Sequence, residues 1–211
     1  MESVKKYKIP AYETELQSSF DFVLKEAEEL YQGGGRLKKT YDRLARHLDE
    51  LGISYTLVGG YALILHGVRR FTEDIDLLVS EEGLERLHKE LIGRGYIQVA
   101  PQSRNLRDVE TGVKIEFVVT GEFPGDGKPK PVEFPEPEAV AENREGIKVI
   151  DLKSLVELKL ASGMTAKSRL QDLADVHRLI EKHHLTSDFA NQLHPYVREK
   201  FLELLSEDIE E

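Results

Sequence analysis

The stretch that most restricts the fold runs from Tyr55 to Val79. An apolar quartet, Tyr55-Thr56-Leu57-Val58, leads into Gly59-Gly60. An apolar segment closed by His66-Gly67 follows, and then Asp74-Ile75-Asp76-Leu77-Leu78-Val79. Two runs of strand length around a glycine pair and a short helical segment predict strand, tight turn, helix, strand. Side chains alternate faces in a strand, so Asp74 and Asp76 share one side with Leu78 while Ile75, Leu77 and Val79 take the other. The two acids then stand about 6–7 Å apart at their Cα atoms. Carboxylates that close repel and raise each other's pKa unless a cation lies between them. Magnesium, which takes oxygen ligands and keeps several waters, suits such a pair, with manganese as a substitute.

A third acid fits the same arrangement. In residues 113–119 the alternation sends Val113, Ile115, Phe117 and Val119 to a core and leaves Lys114 and Glu116 on the opposite face. If this strand lies beside residues 74–79, Glu116 reaches the metal of Asp74 and Asp76. Three carboxylates on one sheet face can hold the divalent ions of phosphoryl chemistry. Gly59 and Gly60, where a strand meets a helix, would let backbone N–H groups approach a phosphate closely. Each feature alone has an ordinary explanation: a tight turn, a solvated strand edge, the polar face of a sheet. Their occurrence together and in this order points to a metal and phosphate site.

The rest of the chain frames that site. Residues 14–30 carry Leu16, Phe20, Val23, Leu24, Ala27 and Leu30 at helical spacing, and Gly33-Gly34-Gly35 stops the pattern. A second helix is predicted over 37–51, ended by Gly52. Further expectations are a helix over 81–92, strands near 96–100, 106–109 and 113–119, and a hairpin turn at 110–112. Residues 120–137 are rich in proline and glycine and read as an exposed loop. Beyond them the pattern is helical: Asp151 caps one helix, and Leu170, Leu173, Ala174, His177 and Ile180 mark a face of another. The acidic end, residues 207–211, reads as solvated. The expected fold is α+β with an α/β-type core: a mixed sheet with flanking helices and a C-terminal helical lobe. The expected organisation is N-terminal helices over 1–52, a catalytic core over 53–150 and the lobe over 151–211.

Composition narrows the function. No cysteine is present, which excludes thiolate metal sites and cysteine nucleophiles. The formal net charge of -10 argues against bulk DNA binding, which needs lysine and arginine to displace counterions. No run has the length of a membrane span and the N-terminus lacks a signal-like apolar core, so the expectation is a cytoplasmic protein.

The run Gly59-Gly60, Ala62, His66-Gly67, Arg69, Thr72 and Asp74-Ile75-Asp76-Leu77, with Glu116 on a later strand, resembles the nucleotidyltransferase superfamily. Within it the chain is similar to the branch of AbiEii-like nucleotidyltransferase toxins. The resemblance implies a palm-like mixed sheet and transfer of a nucleoside monophosphate from a nucleoside triphosphate, with release of pyrophosphate. It implies Asp74, Asp76 and Glu116 as catalytic metal ligands, Glu116 standing where many relatives have aspartate. Gly59, Gly60, Arg69 and Thr72 would contact the nucleotide, and Gly60 replaces a serine found in many members. In the helical region the resemblance adds Lys159, Arg169 and Asp172 as nucleotide contacts; an interhelical Lys159–Asp172 ion pair is the structural alternative. The acceptor could be a tRNA end, a protein hydroxyl or a small molecule, and a cognate antitoxin is an implied partner. Two rivals stand beside this reading. A glycosyltransferase also uses Asp-x-Asp but carries several strand and helix units ahead of its acids. A degenerate member would keep the fold as a toxin–antitoxin or regulatory binding module.

Overall fold

A computed structural model describes residues 11–207. The acidic-end expectation therefore falls mostly outside the described residues. The chain opens with α1 (Tyr12–Ser18), α2 (Phe20–Tyr31) and α3 (Gly35–Glu50). Strand β1 (Tyr55–Val58), helix α4 (Gly59–Leu65), strand β2 (Asp74–Val79) and helix α5 (Glu81–Leu91) follow. Then come β3 (Tyr96–Gln98), β4 (Leu106–Asp108) and β5 (Lys114–Val119). A short α6 (Pro137–Val140) leads to β6 (Ala141–Arg144) and β7 (Ile147–Ile150). The C-terminal helices are α7 (Leu152–Gly163), α8 (Leu170–His183) and α9 (Pro195–Glu207).

The strands form one seven-stranded mixed sheet in the order β3-β4-β5-β2-β1-β7-β6. β2 runs antiparallel to β1 and parallel to β5, with Asp74 opposite Lys114 and Asp76 opposite Glu116. The alternation expected for β5 is found: Ile115, Phe117 and Val119 are buried, and Lys114 and Glu116 are half-buried on the other face. β1 lies inside the sheet, between β2 and β7, and is buried at all four residues. The buried apolar core is continuous from Tyr12 through the sheet to Leu204 of α9. Among the described residues no helix is long and apolar enough to cross a membrane.

Four expectations are corrected. The helix expected over 14–30 breaks at Ser19, whose extended backbone caps α2 by accepting the Phe22 N–H at 3.2 Å. The break turns α1 back so that the Tyr12 hydroxyl reaches the buried Glu26 carboxylate at 3.1 Å, and it leaves Phe20 and Leu24 exposed. The glycine pair expected to form a separate turn is instead the first turn of helix α4, which begins at Gly59 directly after β1. The region after the loop is not wholly helical, because β6 and β7 form a hairpin closed by Glu145 and Gly146, both at positive φ, the geometry of a tight two-residue turn. The buried face of α8 is Asp175, Val176, Leu179 and Ile180, while Leu170 is exposed.

Candidate active site

β2 and β5 bring the three acids together. One carboxylate oxygen from each of Asp74, Asp76 and Glu116 lies within 4.8 Å of the others. Burial, then the charges of Asp74 and Glu116, push Asp76 up to about 7. Asp74 is raised by burial and by Glu116, opposed by a hydrogen bond from the Thr72 hydroxyl at 3.0 Å. Glu116 is paired with Lys114, two residues earlier on the same strand face. An all-oxygen set of closely spaced carboxylates, two of them resisting ionisation, fits a hard divalent cation, which would relieve the repulsion. Magnesium and manganese share the preference for such donors.

The glycine pair acts first on the acids. Gly59 has φ of +67°, a left-handed conformation that disfavours side chains, and a Cβ there would sit 1.9 Å from Asp76 Oδ2. At Gly60 a Cβ would meet Thr72 Oγ1 at 2.5 Å. The Gly60 backbone also hydrogen-bonds the Asp76 carboxylate, favouring its charged form. The bare turn thus lets β1 close over Asp76, and both glycines line the cleft above it.

That cleft holds about 300 Å³ between the sheet and α7. Its walls include Thr72, Leu155, Leu158, Ser162 and Phe134 beside the three acids. Lys159 projects from α7 and donates to Asp172 at 2.7 Å and to Asp175 at 2.9 Å. The Ser162 hydroxyl donates to Asp172 at 2.7 Å. Burial alone would raise Asp172, but the Lys159 charge and these hydrogen bonds outweigh it and hold the carboxyl below its ordinary value. The interhelical pair expected between Lys159 and Asp172 is present, and both residues also line the cleft. Arg169 lines it too, donating to the Gly125 carbonyl at 3.2 Å.

Arg69 is placed elsewhere. It is exposed and faces a separate hollow with Tyr31 and Arg144, because buried Val68 turns the next side chain away from the acids. Arg70 takes the inward position, lining the cleft and reaching the fully buried Asp175 at 2.6 Å. Two residues here are absent from the expected contacts: Arg70, which lines the cleft, and Asp175, buried beside it. The available signal was charge balance, since a buried carboxylate needs cationic partners. His66 does not cap its own helix by its ring; Nε2 lies 2.8 Å from the Ile150 carbonyl and ties α4 to β7.

A family described as "Nucleotidyl transferase AbiEii toxin, Type IV TA system" matches residues 42–210. The chain belongs to this AbiEii family. It is a nucleotidyltransferase with a toxin–antitoxin setting, and the family implies a nucleoside triphosphate as substrate. Among solved structures, the crystal structure of ANT(2")-Ia in complex with adenylyl-2"-tobramycin aligns with a TM-score of 0.50 at 11% identity, over 78% of this chain and 96% of that one. A solution structure of the antibiotic-resistance factor ANT(2'')-Ia aligns with a TM-score of 0.50 at 14% identity, over 81% and 95%. At such identities the likeness is one of fold. Comparison with curated protein sequences finds no match. For this AbiEii member the expected nucleotidyltransferase fold, a mixed sheet with flanking helices, is the one observed.

Proposed function

We propose that the protein transfers a nucleoside monophosphate from a nucleoside triphosphate to a hydroxyl acceptor and releases pyrophosphate. Magnesium, or manganese in its place, would be held by Asp74, Asp76 and Glu116. The observation that carries this reading is the approach of those three carboxylates to within 4.8 Å of one another beside a turn that only glycine can make. The ion, when bound, supplies positive charge against the triphosphate and the charge developing on the transferred phosphoryl group.

The chain's own groups divide the remaining work. Gly59 and Gly60 leave room for phosphate oxygens at one end of the cleft. Thr72 steadies Asp74 through its hydroxyl. Lys159, Arg70 and Arg169 add cationic charge on the side facing the acids, and Asp172 and Asp175 fix the direction of those side chains. Glu116, paired with Lys114, is the base that accepts the acceptor's proton. Arg69 has no part in the proposal. We further propose action in the cytoplasm, and control by a cognate antitoxin, the latter supported by the family description.

The test incubates the protein with each labelled nucleoside triphosphate, magnesium and a mixture of cellular RNA and protein. Label in RNA, protein or a small molecule, with pyrophosphate release, is the expected result. No incorporation and no pyrophosphate from any triphosphate would leave the chain a binding module.

A further inference from the structure

Helix α2 turns a narrow apolar seam outward. Phe20, Leu24, Ala27 and Tyr31 follow one another at spacings of four, three and four residues. At 3.6 residues per turn those spacings confine all four to about 60° of the helix circumference. The inward side is separate: Glu26 and Leu30 are buried there, and Phe22 and Val23 pack against the core. In the seam, Phe20 is 74% exposed, Leu24 53% and Tyr31 49%. Single exposed apolar side chains are ordinary, but a row of them along one helix face marks a surface that another molecule covers.

The two ends of the seam are unlike. At one end the Phe20 ring stands out beside Asp21, an exposed carboxylate whose side chain has no ion pair or hydrogen bond among the described residues. At the other end Tyr31 lines a hollow of about 680 Å³, together with the buried or half-buried Tyr61, Ile64 and Leu65. Two guanidinium groups, Arg69 and Arg144, line the same hollow against one acid, Glu145. Arg144 is engaged, by the Leu65 carbonyl at 3.4 Å and by Glu142. Arg69 is exposed, and like Asp21 its side chain has no partner among the described residues. Gln32, on the same flank of α2 as Asp21, also lines the hollow.

One end thus offers a ring and an unpaired anion, and the other a recess and an unpaired cation. The spacing reads the same in both directions, so two copies of α2 laid antiparallel bring Phe20 against Tyr31 and Leu24 against Ala27 at both ends at once. We propose that the protein associates with a second copy of itself through this seam, about a two-fold axis between Leu24 and Ala27. Phe20 of each copy enters the hollow of the other, and its Asp21 meets Arg69 there. A closed pair of this kind needs a surface that complements itself, which the unlike ends provide. The Phe20 ring gains an aromatic neighbour in Tyr31 and a cationic one in Arg69. The hollow shares no lining residue with the cleft, so the pairing uses surface that the chemistry does not. α2 also precedes residues 42–210, the part of the chain that matches the AbiEii family.

The experiment measures the mass of the full chain by sedimentation equilibrium over a range of concentrations, with circular dichroism as the check on folding. The parent chain is compared with Leu24→Glu, Phe20→Ser, Asp21→Arg, Arg69→Asp and the double variant that carries both charge changes. The parent chain is expected to reach twice its mass of 24.0 kDa, and Leu24→Glu and Phe20→Ser to stay at the single mass. Phe20→Ser, at a residue 74% exposed, decides the matter should Leu24→Glu misfold. Each single charge change sets like charges against each other and should weaken association about tenfold or more; the double variant should restore it. A parent chain that stays at 24.0 kDa up to its solubility limit overturns the proposal and leaves the seam to a different protein. A dimer that survives both seam variants pairs by another face and overturns it too. So does a double variant that associates no better than the single ones, because the charges then do not meet across the pair.

Discussion

Asp76 and Glu116 are direct partners across the parallel β2–β5 pair. Like charges placed opposite each other weaken a sheet, and here Asp74 adds a third carboxylate to the same cluster. The fold tolerates this through local countercharge at Lys114 and incomplete ionisation at Asp76. The site is therefore less stable without a cation than its packing alone would allow, and that is measurable.

Asp76→Asn removes one charge from the cluster and keeps the side chain's shape. Transfer activity should fall by about a hundredfold or more, the scale on which loss of a transition-state electrostatic partner is felt. In metal-free buffer the melting temperature should rise by roughly 2–4 °C for each kcal/mol of repulsion relieved. Magnesium should stabilise the parent chain and leave the variant almost unmoved. Thermal unfolding with and without magnesium, beside a pyrophosphate assay, reads all three; full activity in the variant would remove Asp76 from the chemistry.

Gly59→Ala tests the turn. The left-handed φ alone costs on the order of 1–3 kcal/mol for a residue with a side chain, and the added Cβ would lie 1.9 Å from Asp76 Oδ2. The variant should be destabilised and should lose activity because Asp76 must move. Gly33→Ala is the control, since Gly33 also has positive φ, +76°, but open space around its missing Cβ. It should pay only the strain and keep full transfer rate, as urea unfolding and the same assay would report.

The sheet face bearing Asp74, Asp76 and Glu116 was legible because period-two alternation and a glycine break survive in sequence whatever surrounds them. The α8 face was not. Asp175 is fully buried there, so a reading that assigns charged residues to solvent shifts the face toward Leu170, which is exposed. β6 escaped for a related reason: Ala141-Glu142-Asn143-Arg144 is an edge strand with no buried residue, and its pairing with β7 supplies what its composition does not. The choice between Arg69 and Arg70 turned on the direction of one loop residue, which is set by the buried Asp175 far along the chain.

Asp175→Asn should be costly for the same reason. Asp175 is wholly buried and accepts from Arg70 and Lys159, two cations that would be left without their shared partner. Breaking a buried pair on one side costs about 3–5 kcal/mol. Urea unfolding should show a loss of that order, and triphosphate affinity should fall as Lys159 and Arg70 lose their fixed directions. A change within roughly 0.5 kcal/mol, the range of surface substitutions, would show that the two cations find other partners.

His66 gives the chain a pH dependence. The residue is buried; Nε2 lies 2.8 Å from the Ile150 carbonyl, and Nδ1 has no hydrogen-bond partner among the described residues. Burial lowers its pKa below 6.5, with the Ile150 hydrogen bond opposing and the Arg144 charge adding to the shift. The unfolded chain therefore takes up a proton at a pH where the folded chain does not. This contribution to stability is complete above the unfolded value and is lost as pH falls below it, by up to about 1.4 kcal/mol per pH unit until the folded value is reached. His66→Gln can keep a donor toward Ile150 but cannot titrate. Denaturant unfolding between about pH 7 and 5 should show the parent chain losing more stability than the variant over that interval. Parallel profiles would mean that the imidazole protonates in the folded chain without penalty.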